Sequence, residues 1–266
     1  MTTNIASSGA WDCHFHILDA AAPVVANAVI ANRSASCNDY RAATAGLGLT
    51  GGVLVQPSLY GCDHTVLLRA LAELGAGYRA TGVITPDADP ATLLQWHAAG
   101  MRGMRFNQVQ SGATLIEDMP KTAELVRDMG WSLELHLPAS ELSCHHEMLA
   151  DLGVPLVLNH LGRCRPDHDE DLEALLRLYE LPHVWVKLSG PYHEDVRDLS
   201  WAHSLDVAKR LITADSSRLV WGSDWPHVTE SNPPALSKLL AFIQTAAGDE
   251  TILRRIMSEN PQRLYR

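Results

Sequence analysis

Two histidines, His14 and His16, lie one residue apart in a short apolar stretch near the start of the chain. Residues i and i+2 of a β-strand project to the same face, so both imidazoles would face one space. Imidazole is the commonest protein metal ligand and the usual acid or base near neutral pH. The alternative is a chance pair of surface histidines, so the motif gains weight only if other reactive side chains converge on it.

Further acid–base side chains stand where later apolar runs end. His136 and His160 each close such a run, and Asp224 closes the last one. In a barrel of parallel strands, the carboxyl ends of all strands meet at one face, which carries the active site. The sequence therefore predicts that four of the 13 histidines and one aspartate converge there.

Eight apolar runs alternate with helix-like segments along the chain. After the first stretch, the runs cover 52–56, 78–84, 102–107, 131–136, 155–160, 183–189 and 218–224. Nearly continuous apolar strands are typical of buried parallel sheets. Start and stop signals bound the segments between them, as in Asp89-Pro90 and Gly100. The helix-like segments cover 65–74, 90–100, 118–129, 140–153, 168–180, 201–214, 234–247 and 249–265.

This alternation predicts a (β/α)₈ TIM-like barrel, with residues 1–266 forming a single domain. The alternative is an open doubly wound sheet, but no glycine-rich phosphate-binding motif follows the first strand. The longest irregular piece, 18–38, follows the first strand and could cover the barrel mouth.

Composition and charge argue against nucleic-acid binding and set a condition for binding an anion. The hydrophobic fraction of 46% and the charged fraction of 20% are ordinary for a globular enzyme. The formal net charge is -10 without a basic block, which argues against nucleic-acid binding. An anionic substrate would need local arginines to overcome this field.

Cysteine usage indicates a reducing compartment. The five cysteines are scattered and form no CxxC motif. Residues 1–10 lack the features of a signal peptide, and no apolar segment is long enough to span a bilayer. We expect a cytoplasmic protein that does not contact membranes, as a monomer or a homodimer.

The strand-end motifs resemble those of the amidohydrolase superfamily, in its amidohydrolase-related branch of barrel hydrolases and decarboxylases. The motifs are Asp12-Cys13-His14-Phe15-His16, His136, Asn159-His160-Leu161-Gly162-Arg163 and Gly222-Ser223-Asp224-Trp225-Pro226-His227. Within that branch the chain is most similar to the lactonases, which include 2-pyrone-4,6-dicarboxylate lactonase and sugar-lactone hydrolases. The runs 102–107, 187–190 and 260–265 support that placement.

The resemblance implies hydrolysis of a small lactone. Asp224 would be the general base that activates water. His14, His16 and His160 would polarise the carbonyl, either directly or through a metal.

The resemblance leaves open whether the reaction requires a metal ion. The superfamily's single-metal sites imply one divalent ion, Zn²⁺ or Mn²⁺, and three imidazoles with a carboxylate suit zinc. The pyrone lactonases are understood to work without a metal, so a metal-independent reaction stays open. The implied ligands are His14, His16, His136 and Asp224.

Recognition of an anionic small molecule is predicted for Arg105 and Arg163, which stand at strand ends. A guanidinium matches a carboxylate as a two-pronged partner. A structural salt bridge is the alternative for each. Ser58, Asn107 and Tyr192 are predicted to supply hydrogen bonds to the substrate.

Two departures from the pyrone-lactonase pattern leave the substrate open. The run 33–37 lacks a tyrosine found in relatives, and 108–114 lacks an expected arginine. One alternative function is a metal-dependent, non-oxidative decarboxylase of the same branch. Another is a non-catalytic barrel that binds a ligand, because one fold hosts many functions.

Overall fold

The computed structural model describes residues 9–110, 114–196 and 198–266. Eight parallel strands follow one another in chain order around a single sheet. Their bounds are β1 Ala10–Phe15, β2 Leu49–Val55, β3 Tyr78–Gly82, β4 Met101–Asn107, β5 Ser132–His136, β6 Leu156–Leu158, β7 Val184–Leu188 and β8 Leu219–Trp221. The predicted (β/α)₈ barrel is confirmed.

Backbone hydrogen bonds join the end of the first strand to the segment that follows the last strand. Asp224 N donates to His14 O at 2.7 Å, and His16 N donates to Trp225 O at 2.7 Å. Gly222 makes this approach possible, because a Cβ there would lie 2.5 Å from the Cβ of His14. This closing seam places the end of β8 directly against β1.

Helices lie between the strands and after the last one. Their bounds are α1 Cys37–Thr44, α2 Thr65–Leu74, α3 Pro90–Ala99, α4 Met119–Val126, α5 Ala139–Leu142, α6 His146–Ala150, α7 Asp169–Tyr179, α8 Ala202–Asp215, α9 Leu236–Ala247, α10 Glu250–Arg254 and α11 Asn260–Leu264. In the described part of the chain, none of them has the length and apolar character that a membrane crossing requires.

The structure differs from the sequence expectation in several elements. The helix predicted over 140–153 is two short helices, α5 and α6, separated by a 3₁₀ turn at Ser143–His145. Helix α1 was not predicted; Ser36 and Asp39 form a capping box at its start. Strands β6 and β8 end earlier than predicted, and the chain adopts left-handed conformations at His160 and at Asp224.

The connection between β1 and α1 lies over the barrel mouth, as the sequence indicated. Leu18 pairs with Ala35 at its base, and Val25 N donates to Leu59 O at 2.9 Å. Ile30 lines the central pocket. The connection therefore forms one wall of the pocket.

Candidate active site

A pocket opens at the carboxyl ends of the strands, with an empty volume of about 320 Å³. Six of its lining residues can donate or accept protons or bind anions: His16, Arg105, His136, His160, His193 and Asp224. The convergence that the sequence predicted is therefore present, and His193 is an addition to it.

Asp224 stands at the centre of this group. Its Oδ1 lies 3.5 Å from both His14 Nε2 and His16 Nε2. Its Oδ2 lies 3.3 Å from His193 Nε2 and accepts a hydrogen bond from the Tyr192 hydroxyl at 2.6 Å. The carboxylate therefore accepts a hydrogen bond from Tyr192, has three imidazole nitrogens within 3.5 Å and still lines the pocket.

The closing seam holds Asp224 in position. Asp224 has a φ of 60°, a left-handed conformation that is uncommon outside glycine. Asp12 Oδ1 accepts from Ser223 N at 2.8 Å, and Asp12 Oδ2 accepts from Ser223 Oγ at 2.5 Å. Burial raises the pKa of Asp12 to about 6, although the donors Ser223, His14 and Tyr40 oppose that rise.

His14 and His16 project into the barrel as predicted, and both are buried. His16 Nδ1 lies 2.8 Å from Val55 O. A carbonyl can only accept, so this contact places a proton on Nδ1 and, in the neutral ring, the lone pair on Nε2. His16 thus presents a proton acceptor toward Asp224.

His14 is held in the opposite tautomer. Lys187 Nζ lies 3.4 Å from His14 Nδ1 and 2.7 Å from Glu134 Oε2. A lysine ammonium can only donate, so Nδ1 of His14 accepts and the proton of the neutral ring sits on Nε2. His14 therefore directs an N–H toward Asp224.

Lys187 and Glu134 form a wholly buried ion pair beneath the pocket. Glu134 Oε1 accepts further hydrogen bonds from Thr81 Oγ1 at 2.9 Å and from the Tyr265 hydroxyl at 3.2 Å. Neither Lys187 nor Glu134 was among the predicted site residues. The signal was available, because Glu134 lies two residues before His136 on one strand face.

His160 reaches the pocket through a change of backbone conformation after β6. His160, Leu161, Gly162 and Arg163 all have positive φ, between 53° and 67°. The His160 ring centroid lies 4.6 Å from that of His14 and 4.8 Å from that of His136. Its Nδ1 lies 3.0 Å from Ser189 Oγ. No strand pattern indicates such a turn.

The charges of the site follow from burial and from the neighbouring groups. Burial lowers the pKa of His14, His136 and His160 well below the usual range. Lys187 acts in the same direction on His14. Burial alone would raise the pKa of Asp224, but the surrounding imidazoles, His160 foremost, hold that pKa well below its usual range. At neutral pH the site thus holds an ionised Asp224 beside the neutral imidazoles of His14, His136 and His160.

The predicted arginines lie near the pocket in different environments. Arg105 lines the pocket, is buried, and donates from Nη1 to Gln56 O at 3.1 Å. Arg163 donates from Nε to Glu194 Oε1 at 2.5 Å, and its Nη1 lies 3.2 Å from His136 Nε2. Arg105 thus lies at the pocket wall without a carboxylate at contact distance in the described residues, whereas Arg163 is paired with Glu194.

The predicted hydrogen-bonding residues occupy different positions. Ser58 lines the pocket and accepts from Asn107 Nδ2 at 2.7 Å. Asn107 lines a neighbouring cavity that shares Ser58 and Arg105 with the pocket. Tyr192 is buried behind Asp224, where its hydroxyl also lies 2.9 Å from His227 Nδ1.

Part of this site could hold a metal ion. His14, His160 and Asp224 each offer a ligand atom, and these atoms lie within 4.8 Å of one another. His136 Nδ1 is buried without a hydrogen-bond partner in the described residues. Nitrogen and carboxylate donors with an open side suit a divalent ion such as zinc.

Comparison with known proteins agrees with this geometry. The family model described as amidohydrolase matches residues 11–266. The chain belongs to the amidohydrolase family. Among curated relatives of this amidohydrolase is a 4-sulfomuconolactone hydrolase from Hydrogenophaga intermedia, 27% identical, with 97% of this chain and 88% of the relative covered. A 2-pyrone-4,6-dicarboxylate hydrolase from Comamonas testosteroni is 27% identical over 82% of this chain and 77% of its own.

A solved structure shows the same fold. The apo crystal structure of an Agrobacterium tumefaciens protein superposes with a TM-score of 0.88 at 23% identity. The match covers 97% of this amidohydrolase and 93% of that chain. The barrel is thus shared over nearly the full length of both proteins.

Proposed function

We propose that this amidohydrolase hydrolyses a small, carboxylated lactone, using Asp224 as the general base. The observation that carries the proposal is an ionised, buried carboxylate that lines the pocket between a proton-donating and a proton-accepting imidazole, His14 and His16. The curated relatives that hydrolyse lactones support it. We also propose that residues 1–266 form one barrel domain and that, given its cysteines, the protein works in the cytoplasm.

The reaction follows from the tautomers of His14 and His16. A water molecule between Asp224 and the substrate gives one proton to the carboxylate, and its second hydrogen, which stays on the water oxygen, can form a hydrogen bond to His16 Nε2. The water oxygen forms a bond to the lactone carbonyl carbon. Once Asp224 is protonated, the Nε2–H of His14 can donate instead to the carbonyl oxygen as that oxygen gains negative charge.

Ring opening completes the reaction. When the tetrahedral carbon expels the ring oxygen, protonated Asp224 returns the proton to that oxygen. His160 and His193 line the same space and can donate to either oxygen. The product is an open-chain hydroxy acid or its keto tautomer, and the carboxylate of Asp224 is regenerated.

A divalent ion fits the same donors. We propose Zn²⁺ or Mn²⁺ as the candidate ions, with His14, His16, His136, His160 and Asp224 as the residues available to hold one. Bound there, an ion would supply Lewis-acid polarisation of the carbonyl. Because His14 Nε2 carries a proton in the arrangement described, binding through that atom would release it.

The test follows the ultraviolet absorbance of 2-pyrone-4,6-dicarboxylate and of 2-pyrone-6-carboxylate incubated with purified protein. Loss of the pyrone band, with one acid equivalent released per ring opened, supports the proposal. Asp224→Asn should abolish turnover, because an amide cannot take the proton of water. Release of carbon dioxide without uptake of water would instead indicate a decarboxylase.

A further inference from the structure

The two arginines of the predicted anion site differ in whether a carboxylate of the chain already neutralises them. Arg105 is buried at the pocket, and its Nε has no hydrogen-bond partner in the described residues. Its one hydrogen bond goes to the carbonyl of Gln56. A buried guanidinium with an unused N–H next to a pocket is suited to bind a substrate anion.

Arg163 is less able to bind a substrate anion, because it already pairs with Glu194. The Arg163 Nε and Glu194 Oε1 atoms lie 2.5 Å apart, and the two side chains are only 18% and 20% exposed. A second nitrogen, Nη1, is 3.2 Å from His136 Nε2. The positive charge is therefore cancelled at contact distance, and a single guanidinium nitrogen, Nη2, is left without these contacts.

A further carboxylate, that of Glu230, is bound to a residue of the pocket wall. Thr229 lines the pocket, and its hydroxyl donates to Glu230 Oε1 at 3.0 Å. The whole chain carries a formal net charge of -10. A second substrate anion near Arg163 would thus meet the carboxylate of Glu194 at close range, within a repulsive overall field.

We infer that the pocket accepts lactones with one acidic group, bound at Arg105, and that Glu194 excludes a second acidic group by neutralising Arg163. Only the identification of the ligands as lactones rests on the proposed function, because the selectivity itself is a property of binding. The substituents on the Arg163 side are then uncharged, such as hydroxyl or carbonyl groups. Glu194 is accordingly a specificity-determining residue.

The experiment compares two flat acids that cannot be hydrolysed, benzoate and benzene-1,3-dicarboxylate, by titration calorimetry. The wild-type protein should bind benzoate at least as tightly as the dicarboxylate. Glu194→Gln frees Arg163, and one additional charged hydrogen-bonding partner should raise the affinity for the dicarboxylate about 10- to 100-fold. Benzoate affinity should be unchanged, which also shows that the variant is folded.

Three further variants test the assignment. Arg163→Met in the Glu194→Gln background should cancel the gain. Arg163→Met alone leaves the Glu194 carboxylate without its cation and should weaken dicarboxylate binding further. Glu170→Gln is the matched control, since that carboxylate also pairs with an arginine, 3.9 Å from Arg165 Nη2. Arg165 hydrogen-bonds to Asp171, whereas Arg163 lies 3.2 Å from the pocket residue His136.

The inference is overturned if the wild-type protein prefers the dicarboxylate, or if Glu194→Gln leaves the affinity ratio of the two acids unchanged. A gain in dicarboxylate affinity that persists when Arg163→Met is combined with Glu194→Gln would also overturn it. Failure of the proposed function is a separate result: neither 2-pyrone is opened although the two acids bind in the expected order.

Discussion

The ion pair beneath the pocket offers a quantitative test of the structure through Lys187→Met. The change removes the ammonium that lies 2.7 Å from Glu134 Oε2 and leaves the glutamate wholly buried. Removing one partner of a buried ion pair costs about 3–5 kcal/mol of unfolding free energy. For 266 residues the unfolding entropy is roughly 0.5 kcal/mol/K, so the expected fall in Tm is about 6–10 °C.

Calorimetry and denaturant unfolding measure this loss, and a double variant controls for it. Lys187→Met with Glu134→Gln leaves no unpaired charge and should recover most of the stability of the single variant. A single variant within about 1 kcal/mol of wild type, the value of an ordinary exposed pair, would refute the buried geometry. Nitrogen-15 spectra should also show that His14 loses its preference for a proton on Nε2, because Lys187 no longer donates to Nδ1.

Further predictions concern the carboxylates and the metal. Tyr192→Phe removes the 2.6 Å hydrogen bond to Asp224 and should lower kcat about 10- to 100-fold with little change in KM, as steady-state kinetics will show. The pKa of Asp224 is held low, so the base stays ionised in mild acid and kcat/KM should persist at about pH 5; a loss there would contradict the assignment. The pKa of Asp12 is about 6 in the fold, against about 3.9 when unfolded, so the folded state binds the extra proton. This group's contribution to stability should therefore decrease by about 2 kcal/mol as pH rises from 4 to 6. Denaturation of Asp12→Asn should show that slope removed. Addition of zinc to chelator-treated protein should release a proton if His14 is a ligand, which a weakly buffered titration detects.

The barrel could be predicted because its signal is repeated eight times along the chain. Each buried strand is an apolar run, and the reactive side chains follow the ends of those runs. His14, His16, His136, His160 and Asp224 were therefore brought to one face by topology alone. The conformations that aim two of them were not predictable from those runs: His160 and Asp224 depend on positive φ after short strands.

The features of the site that the sequence did not predict depend on contacts between distant segments of the chain. His193 follows a strand end by several residues and carries no periodic signal, yet its Nε2 is 3.3 Å from Asp224 Oδ2. The pairing of Arg163 with Glu194 joins two loops whose approach no local pattern encodes. Sequence reasoning thus located the reactive groups, while the charges that select a substrate became visible only in three dimensions.

The closing seam has a consequence for how the protein acquires activity. Asp12 and Ser223, 211 residues apart, bind one another where the first strand meets the end of the last. During synthesis, His14 and His16 emerge early but have no base beside them until the segment with Asp224 has been made and has docked. Turnover therefore reports completion of the ring: a refolding chain should regain its helical signal before its activity, and the lag between the two measures how long the barrel takes to close.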